Sequence, residues 1–265
     1  TMNKVTVRGL VLAATLAGAC LICFSGCDDD KDDEAVVGIA YGPAVQVGNG
    51  TARSFVKLDK AGDPESVGFT LTRTALENLP HEDRSYRLAL PAQKTGTPYN
   101  HISLDWASHG HSPDGVYNTA HFDMHFYMIS EAEQNAIVMD EKMQRVPEAR
   151  FLPPADRYFS PPGEGVPGMG KHWADLASPE LSQGKPFTVT MVYGTYDGKV
   201  IFHEPMISHA WLNTRPAAFD TLTGMAQPAA FAKAARYPNQ YRVRYNADAG
   251  LYIIELTDLT PRQAE

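Results

Sequence analysis

His121-Phe122-Asp123-Met124-His125-Phe126-Tyr127-Met128 alternates without a break between large apolar side chains and polar or ionisable ones. A period of two is the signature of a strand, whose successive side chains point to opposite faces. Phe122, Met124, Phe126 and Met128 then pack against a core. His121, Asp123, His125 and Tyr127 share the other face, with about 6–7 Å between successive members. This strand sets the frame for the rest of the chain.

The flanking sequence follows the same pattern. Val36 to Val47 and Thr51 to Leu58 are strand-like runs joined by Gly48-Asn49-Gly50, a hairpin signal. Val67 to Leu71, Tyr86 to Leu90 and His101 to Trp106 are further strands, and the central one extends over Thr119 to Ile129. Phe187 to Tyr193 and Lys199 to Glu204 flank Asp197-Gly198, and Tyr241 to Tyr245 pairs with Leu251 to Leu256 through Ala249-Gly250. Helical patterns are short: Thr72 to Leu79, Glu131 to Arg145 and the alanine-rich Pro228 to Arg236. Phe151 to Gly170 carries five prolines and is expected to be irregular, in a loop long enough to cover a site. About nine strands and three short helices predict an α+β, mainly β domain with an antiparallel sheet or barrel-like core. Residues 36–265 form that domain, with 36–80 either a small N-terminal subdomain or simply its first sheet.

The chain begins differently. Lys4 and Arg8 precede an uncharged apolar run from Gly9 to Phe24, too short for a membrane span and suited to a signal peptide. Phe24-Ser25-Gly26-Cys27 resembles a bacterial lipobox. Residues 1–26 are therefore read as a lipoprotein signal and Cys27 as the lipidated mature N-terminus; the alternatives are an ordinary cleaved signal or an uncleaved anchor. Residues 27–35 follow as a tether, with six acids against Lys31 in Asp28 to Glu34. This places the protein in the cell envelope, anchored to the membrane by lipid. Asp28, directly after the cysteine, resembles an inner-membrane retention signal, which in a Gram-negative cell means the periplasmic side of the inner membrane. The net charge of −8 makes a nucleic-acid partner unexpected, because phosphate binding needs clustered Lys and Arg.

Several familiar chemistries fail on context. Gly163-Glu164-Gly165-Val166-Pro167-Gly168 fits a dinucleotide glycine pattern, but no strand leads into it and Pro167 removes a backbone N–H. Lys171 is followed by His172 where a phosphate loop needs Ser or Thr. There is no Gly-x-Ser-x-Gly elbow. His121 and His125 have zincin spacing, but Phe122 stands where the catalytic glutamate belongs.

What remains is histidine. Five of the nine histidines lie between His101 and His125. Two imidazoles and a carboxylate along one strand face are suitable ligands for zinc, iron, copper or manganese. His109-Gly110-His111 precedes that strand and His172 follows the proline-rich loop. Glu204 shares a strand face with Val200 and Phe202, so it is expected to point inward, where a carboxylate needs a cation. His111, His121, His125, His172 and Glu204 form the ligand pool, with Asp123, His209 and Tyr127 around it. Asp123 is either a ligand or the group that orients an imidazole.

Three segments carry a family likeness. They are Gly48 to Val56, His109-Gly110-His111 with His121 to Tyr127, and Tyr193 to Lys199 leading to Phe202-His203-Glu204-Pro205-Met206. Together they resemble a bacterial family of uncharacterised envelope proteins, whose structural representative is a thermophile hypothetical protein under extracytoplasmic sigma-factor control. The resemblance implies a β-rich fold and assembly into homo-oligomers, and it assigns no catalytic residue. Two functions follow: a membrane-tethered protein with a histidine–carboxylate metal site, its small-molecule ligand unspecified, or a non-catalytic binding or assembly protein whose histidines form a polar network. The leader has a direct test. Mass spectrometry of the mature N-terminus is expected to find diacylglycerol on Cys27; an unmodified Cys27, or cleavage elsewhere, removes the anchor.

Overall fold

A computed structural model of the chain describes residues 38–214 and 220–265. The leader and the whole tether, Cys27 included, lie outside the described residues. Thirteen strands are found among those described. In chain order they are β1 (Gly38–Val47), β2 (Gly50–Leu58), β3 (Pro64–Thr72), β4 (Arg84–Ala89), β5 (His101–Ala107), β6 (His121–Tyr127) and β7 (Tyr158–Phe159). There follow β8 (Lys171–Asp175), β9 (Val189–Tyr196), β10 (Lys199–Ser208), β11 (Asp220–Gly224), β12 (Ala235–Asn246) and β13 (Leu251–Arg262). Three α-helices of four or five residues join them: α1 (Glu131–Asn135), α2 (Pro179–Ser182) and α3 (His209–Leu212).

The strands form two antiparallel sheets. The first runs β1-β2-β3-β13-β12-β11, and the second runs β4-β5-β6-β10-β9-β8-β7. The turns that the sequence marked are where they were expected. Val47 faces Gly50 across a two-residue turn. Tyr196 faces Lys199 across Asp197 and Gly198, both with positive φ, as a type I′ turn requires. Residues 36–80 do not close on themselves: β3 pairs with β13, so they are the opening half of a sheet that the C-terminal hairpin completes.

The apolar sides of the two sheets meet. Val56, Val67, Phe69, Leu71 and Ile254 of the first sheet share one buried cluster with Ile102, Leu104, Phe122, Met124 and Phe126 of the second. The rings of Phe69 and Phe126 lie 6.4 Å apart across the junction. No closed barrel forms. The domain is mainly β with a few short helices, as its sequence predicts.

Several elements differ from expectation. Glu131 to Arg145 is not one helix: α1 ends after five residues and a single 3₁₀ turn follows at Glu141–Gln144. α1 does begin on a reciprocal capping box between Ser130 and Glu133. Beyond it, Ile137 and Met143 reach an apolar cluster from irregular chain, while Val138 and Met139 between them stay exposed. Thr72 to Leu79 is likewise only a 3₁₀ turn, Arg73–Leu76. Pro228 to Arg236 is not helical at all. Its alanines let the chain run close to its neighbours, with the Ala230 N–H donating to the Arg150 carbonyl and Phe231 bridging Ala264. Phe151 to Gly170 is irregular apart from the two-residue β7. The short strands β8 and β11 were not foreseen.

Phe69 is fully buried at the junction of the sheets. Phe69→Ala is expected to lower the unfolding free energy by about 3–5 kcal/mol in a urea titration. A loss below about 1 kcal/mol, the range of tolerated core swaps, would contradict this packing.

Candidate metal centre

The polar face of β6 is the outer face of the second sheet. The alternation read from the sequence holds, but both faces of the strand are buried: His121, His125 and Tyr127 are 0% exposed and Asp123 is 6% exposed. That face is therefore shielded from bulk solvent. Connecting segments roof it, with Tyr117 and Phe187 over the His121 end and Ile137, Met143 and Met169 over the Tyr127 end.

Six side chains collect there in two groups of three. In the first, His111 Nε2 lies 3.1 Å from His121 Nε2 and 3.3 Å from Asp123 Oδ2, while His121 Nε2 lies 3.0 Å from Asp123 Oδ1. The rings are held from behind by backbone. His111 Nδ1 donates to the Ser112 carbonyl at 2.8 Å and His121 Nδ1 to the Thr119 carbonyl at 2.6 Å. A carbonyl only accepts, so each Nδ1 keeps its proton, and it is Nε2 that faces inward and can offer a lone pair once its own proton is lost.

In the second group, His125 Nε2 lies 3.4 Å from Glu204 Oε1, and His172 Nε2 lies 3.6 Å from Glu204 Oε2. Strand register brings these together: β10 pairs β6, placing Glu204 beside His125, and His172 of β8 faces Gly194 of β9. His125 Nδ1 donates to Asp105 Oδ2 at 2.8 Å, and the Ser103 hydroxyl donates to Asp105 Oδ1 at 2.8 Å. Such a carboxylate behind an imidazole fixes its tautomer and raises its basicity.

The electrostatics show what the centre asks for. Burial pulls the His111 imidazole down, but the Asp123 carboxylate outweighs it and drives the ring up to about 9. Burial likewise opposes the charge on Asp123, and His111 and His121 outweigh it to hold the carboxyl well below its usual range. His125 is pushed up to about 9, burial being overcome by Glu204 and then Asp105. Glu204 itself is raised by burial, to about 8, so protons near it belong to the pair rather than to either group. Burial and then the charge on His125 push His172 down to about 3. Three carboxylates in a dry pocket draw positive charge toward the imidazoles between them.

All five members of the ligand pool, His111, His121, His125, His172 and Glu204, converge here, and Asp123 completes the first group as a direct neighbour. Tyr127 lies alongside, its ring stacked between His101 and His125 with centroids 5.0 and 5.4 Å away. Its hydroxyl donates to the Gly168 carbonyl at 3.1 Å. His209 does not join them. Ser208 caps α3 by accepting from the Trp211 N–H, which turns the chain, and His209 Nε2 instead donates to the Leu76 carbonyl at 3.1 Å. Glu204 is buried as expected, but Val200 is not on its face: a register shift between Val200 and Phe202 sends Val200 to the inter-sheet cluster. Asp105 was missed. Its signal was the alternation His101, Ser103, Asp105 along β5, which the sequence pattern showed but did not link to β6. In the sheet Ser103 faces His125 and Asp105 faces Asp123.

Residues 59–106 match the family described as TTHB210-like, hypothetical protein TTHB210. The chain is similar to that family from the end of β2 through β5, a stretch that holds Asp105 but no member of either group. The three segments quoted for the resemblance lie outside it. No curated protein and no solved structure matches the chain.

Replacing Asp105 by Asn removes the negative charge behind His125 and keeps an acceptor there. The His125 imidazole, followed by NMR, is then expected to titrate roughly 1–3 pH units lower. An unchanged midpoint would show that Asp105 does not support the ring.

Proposed function

We propose that this protein binds a divalent transition metal in the histidine–carboxylate centre of its second sheet, as a lipid-tethered protein of the cell envelope. One observation carries the metal reading. Asp123 Oδ1, His125 Nε2 and Glu204 Oε2 are buried without a hydrogen-bond partner, and all three lie in this centre. Asp123 Oδ1 is close to His121 Nε2 but not aligned with it as a hydrogen bond. Each such atom costs about 1–3 kcal/mol if left unpaired. A cation bonded to such an atom removes that cost. Imidazole and carboxylate together suit zinc, iron, copper or manganese. An ion with an open position there would activate water or hold a small oxygen ligand.

The envelope location rests on the lipobox-like segment ending at Cys27 and on the acidic tract behind it. The family resemblance adds the envelope setting and its sigma-factor control to the same proposal. Against it stands the assembly-protein reading, in which the same histidines are a structural network.

The discriminating measurement is metal analysis of protein purified without a histidine tag. Stoichiometric metal is expected, and the double variant His121→Ala, His125→Ala is expected to lose it. Added-zinc affinity should rise with pH and level off only above about pH 9, where His111 and His125 have shed the protons that compete with the metal. If no stoichiometric metal appears and the double variant binds zinc as tightly as its parent, the network reading replaces this one.

A further inference from the structure

The centre is not one group of six but two groups of three, and their surroundings differ. The first holds His111, His121 and Asp123, the second His125, His172 and Glu204, with no residue in common. Tetrahedral bonds of about 2.1 Å place ligand atoms about 3.4 Å apart. The contacts within the first group are 3.0, 3.1 and 3.3 Å, and those to Glu204 in the second are 3.4 and 3.6 Å. Both groups are therefore close to the spacing that an ion imposes.

Each also has its own support and its own unmet need. The Ser112 and Thr119 carbonyls orient the first pair of rings, whereas Asp105 orients His125. The unpartnered Asp123 Oδ1 belongs to the first group, and the unpartnered His125 Nε2 and Glu204 Oε2 to the second. An ion in either group leaves the orphaned atoms of the other as they were. Access separates them further. Each group has one histidine that reaches solvent, and the first opens wider: 46% of the His111 side chain is exposed against 29% of His172, while His121, Asp123, His125 and Glu204 are buried.

Building on the metal reading above, we infer that the centre takes two divalent cations with different roles: a closed, structural ion at His125, His172 and Glu204, and an accessible ion at His111, His121 and Asp123 that exchanges small oxyanions. Charge supports the division. A divalent ion at the second group would bond the Glu204 carboxylate and have the Asp105 carboxylate behind His125, two negative charges in all. The same ion beside Asp123 alone keeps a net positive charge, which an anion completes. Structural sites fill all four positions with protein atoms, which His125, His172 and both oxygens of Glu204 can supply, and open ones keep a position for water or substrate.

The test is zinc loading of the full chain, followed by metal analysis and timed release to EDTA. Two equivalents are expected, leaving in a fast and a slow phase. His111→Ala should lose only the fast equivalent and His172→Ala only the slow one; both replace partly exposed side chains. In cobalt-loaded protein, inorganic phosphate should shift the visible spectrum of the parent and of His172→Ala but not of His111→Ala. A single equivalent, abolished by either variant, would overturn the two-ion inference and leave the metal reading intact. Two equivalents released at one rate would overturn the division of roles, and that measurement needs no variant to fold. No bound metal at all would end both readings.

Discussion

The structure turns on a strand that is buried on both sides while only one side is apolar. β6 is paired along both edges by β5 and β10, the first sheet covers one of its faces and connecting segments cover the other, so none of its side chains is left to water. Its Phe and Met residues fill the junction with the first sheet. Its imidazoles and carboxylate have no such outlet, and a buried ionisable group must find a partner or shift its protonation. Neighbouring strands supply these partners in register, with Ser103 and Asp105 on one side and Glu204 on the other. The loops that carry Tyr117, Ile137, Met143 and Phe187 then serve as a roof, which explains why so much irregular chain collects over one face.

Support for the centre comes in layers that the sequence separates widely. Backbone carbonyls hold two rings, a carboxylate holds a third, and aromatic stacking on Tyr127 limits how far His125 can rock. Phe202 packs edge-on to His125 with centroids 4.7 Å apart. That ring has room because the residue beside it on β9 is Gly194, where a Cβ would come within 2.0 Å of it. Groups fixed in this way hold their positions before anything binds, which is what makes a site selective rather than merely polar.

The family similarity and the site sit in different parts of the chain. The matched residues cover β3, one strand of the first sheet, and β4 with nearly all of β5 at one edge of the second. The six clustered residues come after them. A fold shared over that stretch describes a scaffold, and function has to be argued from the side chains the scaffold carries.

The alternation of residues 121–128 determined by itself that this is a strand, which side chains share its polar face, and that imidazole and carboxylate lie in a row there. Turn residues such as Asp197-Gly198 likewise fixed where hairpins close, because positive φ at a turn is a local steric matter. Glu204 could be suspected from its apolar neighbours on one strand. Burial of the polar face, the pairing of Asp105 with His125, the bulge that moves Val200 and the cap that turns His209 away were decided only by the tertiary structure. So was the loss of the helices expected at Glu131 to Arg145 and Pro228 to Arg236, where local propensity yielded to contacts with distant segments. Periodicity reports which side of an element a residue occupies; it carries no information about which other element will cover that side, and the chemistry of the centre depends on that.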